Sequence, residues 1–243
     1  MLKILYEDKD IIVVWKPVGM ESQSSRGFGA DMVSEIRKHI HKFSTKSGEP
    51  YVGVIHRLDK PVSGVMVYAK TKKAAGTLSA QVSAGKMTKK YLAVVCGQPV
   101  DSVDKYVDYL LKDEKSNTSK IVDKGINGGK LAELFFRPVE TREIEPYGIL
   151  TLAEIELLTG RHHQIRVQMA GHGMPLWGDN RYNPKFRDQP GSYRRENVAL
   201  AAWHLEFTHP ETGKKLTFEA FPEQEIFKKF PLFSKAKEEG KLL

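Results

Sequence analysis

The apolar run Ile11-Ile12-Val13-Val14-Trp15, closed by Pro17 and Gly19, is the strongest strand signal early in the chain. The extended stretch Lys3 to Lys16 turns at Glu7 to Asp10 on its way into that run. Asp31 stands as the N-cap of a helix reaching about His41, with Val33, Ile36 and Ile40 at helical spacing. Gly64 to Lys70 reads as a buried strand, Thr71 to Ala84 as a helix and Lys90 to Val95 as another strand. Residues 100–130 are polar and lack apolar periodicity, which predicts an excursion or weak hairpin rather than a linker between domains. Strand patterns resume at Ala132 to Pro138 and Ile149 to Leu158, a helix follows Gly160, and strands return at Trp203 to Thr208 and Lys215 to Phe221. The last twenty residues, rich in Lys and Glu, predict a surface helix. Strands and helices mix without strict βαβ alternation, so the pattern predicts an α+β fold with a largely antiparallel sheet.

At 243 residues the chain can bury a full core, and 40% hydrophobic with 28% charged residues exclude disorder and collagen. The longest apolar runs are six residues, Tyr91 to Cys96 and Val198 to Trp203, too short for a membrane span, and no basic-then-apolar leader follows Met1, which predicts a cytoplasmic protein. Cys96, the only cysteine, rules out an intramolecular disulfide and a thiolate metal cage. The net charge of +8 is concentrated: Arg57 to Lys90 carries +7 and Arg161 to Arg195 carries +5, leaving the remainder acidic. Two basic stretches around the most motif-like residues point to a polyanion, nucleic acid first.

Ile55-His56-Arg57-Leu58-Asp59-Lys60-Pro61-Val62-Ser63-Gly64 sets one carboxylate in a turn-prone segment ringed by cations, just before a buried strand. Neighbouring positive charge keeps such an Asp ionised, suited to act as nucleophile or base; equally, it could cap the loop and pair with Arg57 or Lys60. In Leu158-Thr159-Gly160-Arg161-His162-His163-Gln164-Ile165-Arg166, a tight turn leads into a cationic helix start of the kind that holds phosphates. The adjacent histidines lack both H-x-x-x-H spacing and a nearby acidic ligand, so a metal site is not predicted. His56 to Asp59 runs H-R-L-D rather than H-R-D and no D-F-G follows, which excludes a kinase loop.

Together these elements resemble the RluA family of pseudouridine synthases. The resemblance rests on K-P-x-G (Lys16, Pro17, Gly19), H-R-L-D-x-x-x-S-G (His56 to Gly64), K-K-Y-L-A-V-V-C-G (Lys89 to Gly97), T-G-R-x-H-Q-I-R (Thr159 to Arg166) and L-x-F-x-H-P-x-T-G (Leu205 to Gly213), in family order. Three positions depart from the pattern. Val62 stands for a usual Thr, Ala201 for the His of L-H-A, and Asn183 for the last Gly of G-D-x-x-Y-G; all three fall on supporting positions.

The resemblance implies a bent, mixed, mainly antiparallel sheet of two merged halves with flanking helices and a central RNA-binding cleft. The catalytic domain would span residues 1–225, with a charged helical tail at 226–243 and no S4 domain. It implies conversion of uridine to pseudouridine in rRNA or tRNA, with no cofactor and no metal, by a monomer. Asp59 would be the nucleophile, attacking C1′ of the ribose or C6 of the base. Tyr91 would lie against the uracil and Arg166 would pair with Asp59. Arg57 would enter the gap left by the flipped nucleotide, while Lys89, Lys90, Arg161, His163 and Gln164 would serve RNA binding. Two other readings compete. A non-catalytic RNA-binding or ribosome-assembly factor is disfavoured by the joint presence of Asp59, Tyr91 and Arg166. A metal-dependent nuclease would need clustered carboxylates, and Asp59 is the single acid from Arg57 to Lys90.

Overall fold

A computed structural model describes residues 2–24, 30–43, 48–100, 104–187 and 197–240. Part of the second basic stretch, including Arg194 and Arg195, lies outside the described residues. In chain order the first elements are β1 (Lys3–Glu7), β2 (Ile11–Lys16), α1 (Met32–Phe43), β3 (Gly53–Val54), β4 (Ser63–Ala69), α2 (Lys72–Ser83) and β5 (Thr88–Cys96). There follow β6 (Asp104–Asp113), β7 (Thr118–Val122), β8 (Lys130–Ile144), β9 (Gly148–Leu157), α3 (Gln164–Gly171) and the short α4 (Pro184–Arg187). The chain ends with β10 (Leu200–Thr208), β11 (Lys215–Glu219) and α5 (Pro231–Glu239). They form two compact units, one of Met1–Lys89 with Ala202–Ala220, the other of Lys90–Ala201 with Phe221–Leu243.

In the first unit the sheet runs β1-β2-β4-β10-β11, with β3 on the end of β4. The unbroken apolar run of β2 reflects its place: all six residues are buried, between antiparallel β1 and β4. The preceding turn is held by the Asp8 carboxylate, which accepts from the Asp10 and Ile11 amides. Asp31 caps α1 by accepting from the Ser34 amide at 2.7 Å, and Thr71 caps α2 through the Ala74 amide. Gly64 is obligatory. Its φ is +148°, and a Cβ there would lie 2.5 Å from the Ala202 Cβ and 2.6 Å from the Ala202 backbone N and O.

The second unit carries the antiparallel order β5-β9-β8-β6-β7. The polar stretch after residue 100 is the β6–β7 hairpin. It shows no apolar alternation because the sheet ends on β7, where of its five residues only Ser119 is buried. β8 continues six residues past Pro138, where the strand pattern ends: a register shift between Pro138 and Glu140 absorbs the missing N–H. The C-terminal helix is not simply a charged surface element. Phe227, Phe230 and Phe233 are fully buried, and the Leu232 amide donates to Glu140.

Candidate functional site

In the first unit, Asp59 opens a tight turn that the Val62 amide closes on the Asp59 carbonyl at 2.9 Å. The residues on either side are clamped. Ser22 Oγ donates to the Leu58 carbonyl and accepts from the Leu58 amide, and the Lys60 carbonyl accepts from the Gly19 amide at 2.9 Å and Lys16 Nζ at 3.3 Å. Lys16 is 0% exposed, and its ammonium is also held by the carbonyls of Pro17 (3.1 Å) and Met20 (2.7 Å). Burial pulls its pKa down to about 8, opposed by the negative charge of Asp59. K-P-x-G, the least specific of the motifs, thus supplies a buried cation beside the candidate nucleophile and the backbone that pins its turn.

His56 is held neutral: burial and then the Lys89 charge push its pKa down to about 3, and Nε2 accepts from the Val67 amide at 3.3 Å. Arg57 is exposed. Burial also lowers the pKa of Lys89. Val62, the first of the three departures, is an ordinary core residue at 2% exposure.

In the second unit, Tyr91 is buried in β5 opposite Ile155, and neighbouring Lys90 faces Glu154 at 3.5 Å. Arg166 lies in the first turn of α3, 3% exposed, and forms a bidentate pair with Asp179: Nε to Oδ2 and Nη2 to Oδ1, both 2.7 Å. Asp179 Oδ1 also accepts from the Arg181 and Tyr182 amides, and the Tyr182 ring lies 5.2 Å from the Arg166 guanidinium carbon. Asp179 and Tyr182 are partners of Arg166 to which sequence reasoning gave no role. Both stand in G-D-x-x-Y-G, a segment conspicuous only for its missing glycine. Asn183, which replaces that glycine, is buried and satisfied: Nδ2 donates to the Leu176 carbonyl at 2.9 Å, and Oδ1 accepts from the Lys185 amide.

His163 and Gln164 face inward. His163 Nδ1 bonds the Tyr182 hydroxyl at 2.7 Å; Gln164 accepts from Thr159 Oγ1 and the Arg161 amide and donates to the Glu133 carbonyl. They build the turn that presents Arg161, which is exposed and tethered through Nε to the Leu131 carbonyl.

Among the described residues one group has the composition of a metal site: Asp8, Asp10 and His209, brought together from opposite ends of the chain. Its hydrogen bonds give it another task. His209 Nδ1 accepts from the Glu211 and Thr212 amides, so Nε2 carries the proton and donates it to Asp8 at 2.7 Å. That tautomer leaves no Nε2 lone pair for a cation, and the cluster ties the β1–β2 turn to the loop after β10.

A family model for RNA pseudouridylate synthase matches residues 10–171. The ribosomal large subunit pseudouridine synthase D of Zymomonas mobilis is 34% identical over 230 residues, covering 93% of this chain and 70% of that protein. The uncharacterized RNA pseudouridine synthase YlyB of Bacillus subtilis is 37% identical over 222 residues, 90% of this chain and 68% of that one. Among solved structures, human RNA pseudouridylate synthase domain containing 4 superposes with a TM-score of 0.74 at 21% identity, over 91% of this chain and 89% of that one, a likeness of fold.

Proposed function

Starting from a chain that belongs to the RNA pseudouridylate synthase family, of the RluA type, we propose that it converts uridine in ribosomal RNA to pseudouridine with Asp59 as nucleophile. The observation that carries this reading is the Asp59 turn, clamped on both sides and set beside the buried Lys16 ammonium. The large-subunit rRNA synthases among its relatives supply the substrate class.

In this mechanism the ionised carboxylate attacks C1′ of the ribose or C6 of the base. The C1′–N1 bond breaks, the uracil turns, C1′ bonds to C5, the bond to Asp59 breaks and returns the free carboxylate, the C5 hydrogen leaves as a proton to solvent and N1 ends protonated. Tyr91 covers the uracil and takes the C5 proton, and Arg166, oriented by Asp179, holds the Asp59 carboxylate. Arg57 fills the stack vacated by the flipped nucleotide. Lys89, Lys90 and Arg161 contact RNA phosphates, while His163 and Gln164 act on RNA through the turn they hold.

The test uses RNA tritiated at uridine C5. Wild-type protein releases tritium into solvent without shortening the RNA, whereas Asp59→Asn binds RNA within about tenfold of wild type and releases none. Turnover by Asp59→Asn, or strand cleavage without tritium release, overturns the assignment.

A further inference from the structure

The second unit holds a cavity of about 440 Å³ beside the Gly160–His163 turn, at the far end of the β6–β7 hairpin. Its charged lining is Lys112, Lys130, Arg161 and Glu114, with Leu110, Leu111 and the His162 ring completing the wall. That volume falls within the range of small-molecule pockets, and the mix of three cations with apolar and imidazole surface suits one phosphate with a flat base. The acid does not cancel the cations. Glu114 is 78% exposed and pairs with Lys112, a surface interaction that a phosphate can replace at little cost.

The walls are built rather than accidental. Ser119 Oγ bonds His162 Nδ1 at 2.9 Å, and the Ser119 amide donates to the Tyr182 hydroxyl, which also holds His163. The His162 and His163 rings stack at 3.8 Å. The hairpin is thereby fastened to the turn that continues directly into α3 and Arg166. The proposed catalysis uses none of Lys112, Lys130 or His162.

We infer that this cavity binds one nucleotide residue of the substrate RNA, outside the uridine that reacts, with its phosphate on Lys112, Lys130 and Arg161 and its base against His162 and Leu111. The inference rests on the proposed RNA substrate and adds a second, non-reacting point of attachment to it. A nucleoside monophosphate is the shared chemistry of an RNA residue and a small-molecule effector, and the test separates the two.

The probe is a fluorescein-labelled oligouridylate of about twelve residues, with uridine monophosphate as competitor. Lys112→Ala/Lys130→Ala weakens oligouridylate binding about tenfold or more and lowers the log-log salt slope by about 0.7, the share of the one phosphate that is no longer neutralised. A Lys228→Ala/Lys235→Ala control in the C-terminal segment changes neither. Ultraviolet cross-linking and peptide mass spectrometry of wild-type protein place nucleotide adducts within residues 110–130 or 160–162. If wild type releases tritium from RNA yet adducts fall only elsewhere, or the double variant binds like wild type, this inference fails while the synthase reading stands. Micromolar binding of uridine monophosphate in the cavity with unchanged oligouridylate affinity replaces the RNA residue by a small effector and also overturns it. If wild type neither binds RNA nor releases tritium, both fall together.

Discussion

Removing the Asp179 carboxylate should cost more than removing any surface charge of this protein, because it takes a bidentate partner from a cation that water cannot reach. Arg166 and Asp179 are 3% and 0% exposed, and Asp179→Ala deletes both guanidinium hydrogen bonds along with the acceptor for the Arg181 and Tyr182 amides. Breaking one side of a buried pair costs about 3–5 kcal/mol. For a chain of this size each kcal/mol moves the unfolding midpoint by about 2–4 °C, so a fall of roughly 6–20 °C is expected. Asp179→Asn keeps an acceptor for the two amides but removes the carboxylate charge opposite the guanidinium, and should fall between wild type and Asp179→Ala. Asp179→Ala combined with Arg166→Met removes both charges and should recover most of the stability, while remaining inactive. Calorimetry measures the midpoints, and hydrogen exchange over residues 164–182 tests whether the loss is local to α3 and the turn that carries Asp179. A midpoint for Asp179→Ala within about 2 °C of wild type, with unchanged exchange in those peptides, refutes the buried-pair argument.

His56 gives an acid limb. Its pKa is about 3 folded against 6.5 unfolded, so below 6.5 the unfolded chain takes up the proton, and stability present above that value is lost as pH falls toward 3. Near pH 5 the loss should be about 1–2 kcal/mol, seen in urea melts as a slope that His56→Gln lacks; parallel profiles would remove His56 as the cause. Gly64→Ala sets a methyl against the Ala202 backbone, which cannot swing aside, and should cost about 3 kcal/mol or more. A soluble Gly64→Ala protein melting with wild type would show that β4 and β10 do not approach so closely.

Legibility in the sequence followed local chemistry. Thr71 and Asp31 announce their helices because capping is a short-range event, and β2 declares itself because a central strand is buried on both faces. The polar hairpin and the tail were harder. The periodicity of β6–β7 is erased at the sheet edge, and the phenylalanines that anchor the tail are diluted among lysines and glutamates. At the site, Asp59, Tyr91 and Arg166 stood out through their motifs. Lys16 and Asp179 stood in motifs too but without a role, since a lysine looks like a surface residue until its ammonium is found among carbonyls, and an aspartate looks like a loop acid until its guanidinium partner is located. The Asp8–His209 clamp joins residues about two hundred positions apart, beyond the reach of any spacing rule.

The interleaving of the two units bears on how the chain leaves the ribosome. β4, with all seven residues buried, waits for β10 as its neighbour, and β10 begins at Leu200. At about 5–20 residues per second, the delay between them is roughly 7–25 s of synthesis, during which the apolar strand edge that β3 leaves uncovered has no mate. Neither unit can be expressed as one uninterrupted fragment, since the backbone passes between them after Lys89, Ala201 and Ala220. Nascent chains stalled before Leu200 should therefore draw on chaperones and resist protease poorly throughout the first unit, and acquire protection there only once β10 has emerged.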